Sequence, residues 1–202
     1  MVTLQDIWSS STGLLQKFGL MPTFEASWNK VIEEVYEYSE ALNELSLRPK
    51  NDLYRSAAAQ EMADAMVTLI NALYASGILY EDIPTKTTQS LIKQWNELDD
   101  LVKVTHRVAW IGLMRNLFAL HTRLLQMASN RGTRYTYDVT REFHNTLGSL
   151  IVVAQSAGLA YREFESAVEV VMLKNGEKSD KTHEVRNGQI KKIQPATLIE
   201  EN

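Results

Sequence analysis

The stretch that most constrains the fold is Glu61 to Tyr74, EMADAMVTLINALY, because its apolar residues leave only a narrow polar stripe. Wound at about 100° per residue, Met62, Met66, Val67, Leu69, Ile70 and Leu73 cover most of a helix circumference, while Glu61, Asp64, Thr68 and Asn71 gather within about 80°. A helix so apolar has to be enclosed by others. Two carboxylates one turn apart on an enclosed helix stay ionised only beside a cation, since desolvating a lone carboxylate costs several kcal/mol. Either the rest of the chain or a metal ion has to supply that cation.

The remaining sequence supplies the enclosing helices. Nine glycines and four prolines in 202 residues, with few alternating runs, predict an all-α chain with negligible strand, and 45% hydrophobic residues suffice for a sizeable core. The first helix is expected from Thr3 to Phe18, closed by Gly19, and the second over residues 24 to 47 with Val31, Val35, Tyr38, Leu42 and Leu45 on its buried face. The enclosed helix stops at Gly77. A fourth helix carries TTQSLIKQWNELDDLVKV and continues towards Leu125, with a break somewhere between 97 and 110 that the pattern does not place. The loop ASNRGT follows, then helices over about Tyr137 to Ala157 and Tyr161 to Lys174. In the tail, Asn187-Gly188 is a two-residue hairpin signal.

Composition excludes several chemistries. With no cysteine there are no disulfides, thiolate nucleophiles or sulfur-bound zinc. A net charge of -4 offers no nucleic-acid footprint, although the tail after Leu173 is locally basic. No apolar run approaches the roughly 18 residues of a membrane span, and MVTLQDIWSS lacks the pattern of a signal peptide. These features predict a soluble cytoplasmic protein without a membrane partner. No nucleophilic triad, phosphate-cradling glycine loop or dinucleotide fingerprint is present, and the four histidines share no ligand spacing.

The helical pieces repeat. A shift of 81 residues, the separation of Glu61 and Glu142, lays EMADAMVTLINALYASGILYEDI over EFHNTLGSLIVVAQSAGLAYREF without a gap, matching Gly77 to Gly158 and Tyr80 to Tyr161. The chain therefore reads as two helical units sharing one core, over residues 1–97 and 98–175, followed by a basic tail over 176–202. In this register Arg115, Phe118 and Asn145 replace Glu34, Glu37 and Asp64. The second unit is degenerate and cannot hold two divalent metals. Arg115 is expected to lie within ion-pair distance of Glu142, doing the work of the missing cation, with Asn145 hydrogen-bonded nearby.

On the second helix Glu34 and Glu37 stand one turn apart on the shoulder of the apolar face. With Glu61 and Asp64 they make four carboxylates on two adjacent helices, an oxygen-rich set suited to Mg2+ or Mn2+. Glu40 and Glu44 read as a solvated acidic face. Trp8, Phe24 and Trp28 are either core aromatics or platforms for a nucleobase, and Asn71 and Tyr74 either satisfied buried groups or base readers.

The pattern EExxE at Glu33, Glu34 and Glu37, followed after 23 residues by ExxD at Glu61 and Asp64, resembles the signature of the MazG-like all-α NTP pyrophosphohydrolases, a superfamily that includes dimeric dUTPases and phage dCTPases. LLQKFGLMPTFEASWNKVIEEVYEYSEAL is similar to the start of such proteins, and VMLKNGEKSDKTHEVRNGQIKK to the Lys-Asn motif and basic tail of the dUTPase and phage branches. The resemblance spans nearly the whole chain. It implies two tandem MazG-like units, the second degenerate, and hydrolysis of a nucleoside triphosphate to a monophosphate and pyrophosphate. It further implies that Glu34, Glu37, Glu61 and Asp64 bind Mg2+, that Glu33 is general base or holds a further metal, and that Lys174, Asn175, Lys178 and Arg186 contact phosphates. Asn71 and Trp28 are the candidate base contacts. Lys93, at the counterpart of Lys174, reads more simply as a surface lysine. Such an enzyme would act as a homodimer, or as a monomer that forms its own pseudo-dimer. A dUTPase- or dCTPase-like specificity and a non-catalytic nucleotide-binding bundle are the alternatives. A di-iron carboxylate bundle needs Glu-x-x-His pairs, and this chain has Asp64 and Asn145 at those places.

Overall fold

The computed structural model describes residues 2–84, 91–99, 104–129, 133–179, 182–186 and 189–192, and within them the chain is an all-α bundle. Its helices are α1 (Leu4–Lys17), α2 (Phe24–Leu47), α3 (Asp52–Ala75), α4 (Leu91–Asp99), α5 (His106–Ser129), α6 (Thr133–Ser156) and α7 (Tyr161–Glu177), with one 3-10 turn at Tyr80–Asp82. Local chemistry sets several of the ends. Thr3 and Asp6 form a reciprocal capping box at α1, and Thr23 accepts from the Ala26 N–H at the start of α2. After α3 the Gly77 N–H donates to Tyr74 O and the Ile78 N–H to Leu73 O, with Gly77 at φ 83°, a left-handed stop that favours glycine.

α3 is the axis of the molecule. Met62, Met66, Ile70 and Leu73 are fully buried, and Ala58, Ala63 and Ala65 let neighbouring helices approach closely. α2 packs antiparallel along it, α1, α6 and α7 also contact it, and the expected buried face of α2 is indeed in the core. α5 and α6 form a second antiparallel pair, with α4 laid on α6. Ring contacts tie the pairs together: Trp28 stacks on His121 at 4.7 Å and Tyr38 meets Trp110 at 6.5 Å, so α2 and α5 run antiparallel. Arg55 of α3 grips Glu163 of α7 side-on, donating from Nε and, at 2.7 Å, from Nη2, and also donates to Gly158 O.

The helix bounds carry the 81-residue repeat. α6 occupies the positions of α3 under that shift, and α5 starts within a residue or two of the place of α2. The Gly158 N–H donates to Gln155 O and the Leu159 N–H to Ala154 O, reproducing the stop after α3, with Gly158 at φ 81°. Tyr80 meets Trp8 in a T-shaped contact, and Tyr161 meets Trp95 in another.

Some expectations need adjustment. The break expected between 97 and 110 falls between α4 and α5, and residues 100–103 between them lie outside the described residues, as do Asn130, Arg131 and Gly132 of the expected loop. α6 begins a turn earlier than Tyr137, and α7 runs three residues past Lys174. In the tail β1 (His183–Arg186) pairs antiparallel with β2 (Gln189–Lys192), the hairpin expected around Asn187-Gly188, which themselves lie outside the described residues. No helix of the described residues is long and apolar enough to cross a membrane.

The core holds an unsatisfied group at Tyr38. The Tyr38 hydroxyl is buried with no hydrogen-bond partner, and burial pushes its pKa far up. An unpaired buried hydroxyl costs about 1–3 kcal/mol. Tyr38→Phe keeps the ring and removes the orphan, so it is expected to stabilise the fold by roughly 1 kcal/mol in chemical denaturation. A lower unfolding midpoint would show that the hydroxyl is in fact satisfied.

Candidate metal centre

Pairing of α2 with α3 brings Glu34, Glu61 and Asp64 together: one carboxylate oxygen from each lies within 4.8 Å of the others. The local reason is helical spacing. Glu61 and Asp64 are one turn apart on the single polar stripe of α3, and Glu34 sits on the edge of α2 that faces this stripe. Burial is uneven. Glu34 is 7% exposed, whereas Glu61 and Asp64 are half-buried, so the polar stripe of α3 is less enclosed than its composition predicts.

Electrostatics reflect the crowding. Burial pushes the Glu34 carboxyl above its ordinary 4.5; Lys30 opposes that shift, and the charges of Asp64 and Glu37 reinforce it. Glu61 is raised by burial and then by Asp64, Glu37 and Glu34. Lys30 supplies the resident cation, with Nζ 2.6 Å from Glu34 Oε1 and 2.7 Å from Glu33 Oε1. Burial alone would lower the pKa of Lys30, but hydrogen bonds and charge from Glu33 and Glu34 raise it. The upward shift of Glu34 beside this lysine means that desolvation and like charges outweigh one partner. Gln60 donates to Asp64 at 3.0 Å.

A cleft of about 390 Å³ adjoins the triad, lined by Leu14, Ser27, Lys30, Glu33, Thr68, Asn71 and Lys178 among others. α1 and the end of α7 build its far wall. Lys178 donates to the buried Asn175 Oδ1 at 3.2 Å, and Lys17 donates to Lys178 O at 2.6 Å. Burial lowers the pKa of Lys178, partly countered by the charge of Asp64. Asn71 is fixed at the wall by the Ser11 hydroxyl, which donates to its side-chain oxygen.

The residues expected to act here are not all gathered. Glu37 is exposed and outside the triad, although its charge is felt by Glu34 and Glu61. Glu33 is exposed and lines the cleft, held by Lys30. Lys178 reaches the cleft, whereas Asn175 is buried beneath it and Lys174 lines a neighbouring depression with His183 and Lys192. Trp28 packs in the core, with His121 stacked on its ring at 4.7 Å and little of it exposed. Phe24 stacks on the same histidine at 5.7 Å. Lys93 is a surface lysine facing Glu97, and the Arg186 side chain lies outside the described residues. Lys30 was missed, though its place one turn before Glu33-Glu34 is a readable i,i+3 and i,i+4 signal.

The second half presents an altered counterpart. A cleft of about 510 Å³ between α4, α5 and α6 is lined by Arg115, Asn116, Asn145 and Ser149 among others, with no carboxylate in its wall among the described residues. The expected Arg115–Glu142 pair is not formed. Glu142 takes its cation from the adjacent Arg141, at 3.0 Å, and Asn145 donates to its other oxygen at 3.1 Å. Arg115 is exposed on α5, and a neighbour in the same helical turn reaches Glu142 with less ordering of a long side chain.

The donor set suits a hard divalent ion. Oxygens bound to one Mg2+ at about 2.1 Å span up to about 4.2 Å, close to the spacing of the triad, and all three donors are carboxylates. Searches against family models, curated proteins and solved structures matched nothing to this chain.

The raised carboxyls predict a pH profile for the metal-free protein. Glu34 and Glu61 hold a proton more tightly folded than unfolded, so their ionisation weakens the fold at neutral pH, and this penalty is relieved as pH falls through their raised values towards 4.5. Glu163 has the opposite sign: with its pKa lowered by Arg55 and the Ala160 N–H against the effect of burial, the stability it gives is lost as pH falls through that lowered value. The melting temperature in EDTA should therefore rise from about pH 7 to about pH 5 and drop at more acidic pH. Glu61→Gln should flatten the rise, and a profile that only declines from neutrality would contradict this account.

Proposed function

We propose that the chain is a divalent-metal-dependent hydrolase of nucleoside triphosphates, converting triphosphate and water to monophosphate and pyrophosphate, as the resemblance to the MazG-like enzymes implies. The observation that supports this most is the triad of Glu34, Glu61 and Asp64, an oxygen-only donor set beside a cleft that carries lysines on its rim.

In this reading Glu34, Glu61 and Asp64 hold Mg2+ or Mn2+, with Glu37 completing the set by turning inward. An ion held there would neutralise charge on the phosphate oxygens and lower the pKa of bound water. The remaining work falls to the chain. Lys178 attracts the polyphosphate, and Asn175 anchors that lysine through its side-chain oxygen. Glu33, at the cleft wall, accepts a proton from the attacking water as its oxygen bonds to the α-phosphorus and the bond from that phosphorus to the bridging oxygen breaks. Thr68 and Asn71 line the wall where the rest of the nucleotide is held. One such centre per chain follows, because Arg115, Phe118 and Asn145 deprive the second half of its carboxylates.

Pyrophosphate release from a panel of deoxynucleoside triphosphates with Mg2+ or Mn2+ tests the reading and ranks the bases. Millimolar Mg2+ should raise the melting temperature, by an amount set by its concentration relative to its dissociation constant. Glu61→Gln is expected to abolish turnover and the Mg2+-dependent rise together. Lys178→Met should raise KM about tenfold in a protein that circular dichroism shows to be folded. Absent turnover with retained nucleotide binding would instead favour a non-catalytic nucleotide-binding bundle.

A further inference from the structure

The cation in the carboxylate centre belongs to the chain itself. Lys30 sits one turn before Glu33 and Glu34 on α2 and contacts both, at 2.7 and 2.6 Å. Its two partners differ. Glu34 is buried in the triad, whereas Glu33 is exposed at the wall of the cleft. The lysine stem is 40% exposed and lines the same cleft as Lys178. Its ammonium thus stands between the triad and the space where an anion would enter.

Two features separate this from an ordinary helical ion pair. An ammonium 2.6 Å from Glu34 Oε1 and a divalent ion on the same carboxylate repel each other across a few ångströms of half-buried space. The two cations therefore compete for Glu34. The 81-residue repeat is the second feature: Ile111, Met114, Arg115 and Phe118 stand where Lys30, Glu33, Glu34 and Glu37 stand in the first half. The half without the carboxylates also lacks the lysine. A lysine serving solubility alone would not be tied to the acids in this way.

We propose that Lys30 is an exchangeable counter-ion: it holds Glu34 while the centre lacks a divalent ion, is displaced when one binds, and then turns on its flexible stem to the polyphosphate in the cleft. This rests on reading the triad as a metal site. The consequence is a coupling between two ligands. Metal binding alone must evict the ammonium into solvent beside Glu33, whereas metal binding with an anionic nucleotide gives it a new partner. Metal and nucleotide should each tighten the other, reciprocally, as linkage requires.

The test compares wild type, Lys30→Met and Lys30→Arg by calorimetric titration, after circular dichroism shows that each is folded. Mg2+ is titrated first alone. A deoxynucleoside triphosphate carrying a methylene bridge between its α and β phosphorus atoms is then titrated at saturating Mg2+. Lys30→Met should bind Mg2+ alone about tenfold more tightly and the bridged nucleotide about tenfold more weakly, with the coupling between them lost. Lys30→Arg should keep most of the coupling, since charge rather than stem shape carries it. Unchanged or weaker Mg2+ binding in Lys30→Met, or unchanged nucleotide binding at saturating Mg2+, overturns the exchange. If wild type binds no Mg2+ at all, the metal reading itself fails, an outcome distinct from either of these.

Discussion

Covering α3 on nearly every side is the demand that organises this protein. Burial of its methionines and leucines is worth about 25 cal/mol per Å² of apolar surface, and no single partner helix can cover a helix that is apolar most of the way round. α1, α2, α6 and α7 all pack against it for that reason. The polar stripe of Glu61, Asp64, Thr68 and Asn71 is the remaining gap, and it opens at the seam with α2 and on the cleft roofed by α1 and α7. The site is thus a consequence of the packing. Carboxylates gather where the enclosing layer is incomplete, half-buried where α3 leaves room and nearly fully buried where α2 supplies Glu34.

Crowding like charges at such a seam stores unfavourable energy, and the structure relieves it locally. Lys30 reaches back one turn to Glu34 and Glu33, and Lys178 approaches from the end of α7. Neither fully neutralises the triad, which is why burial and mutual repulsion still hold Glu34 and Glu61 above the usual carboxyl range. A centre left under-compensated by its own chain favours an added cation. The same residues would be a liability in a protein with no use for one.

The two halves keep their scaffold and part in their chemistry. Helix stops are set by backbone geometry at Gly77 and Gly158, and core faces by apolar spacing, so α3 and α6 remain superposable in sequence. Side chains on the helix shoulders carry no such restriction. There Lys30 and the acids Glu33, Glu34 and Glu37 of α2 give way to Ile111, Met114, Arg115 and Phe118 on α5, and Glu142 finds a partner in the preceding residue of its own helix. Register alone could not predict that partner, because it aligns positions without deciding which of two arginines reaches a carboxylate first.

From the sequence alone, the all-helical class, the span of α2, the burial of Val31, Val35, Tyr38, Leu42 and Leu45, and the stops at Gly77 and Gly158 were legible. Each depends on local periodicity or on one residue's backbone preference. The same logic placed Glu34, Glu61 and Asp64 on facing edges of neighbouring helices. Tertiary structure decided the rest. It placed the break between α4 and α5, spent the face of Trp28 on His121, kept Glu37 outside the triad, and buried Asn175 beneath Lys178. Those outcomes depend on which helix arrives from far along the chain and how closely it packs. A periodic pattern records which side of a helix turns inward, but the identity, distance and charge of what it meets there are fixed only when the bundle closes.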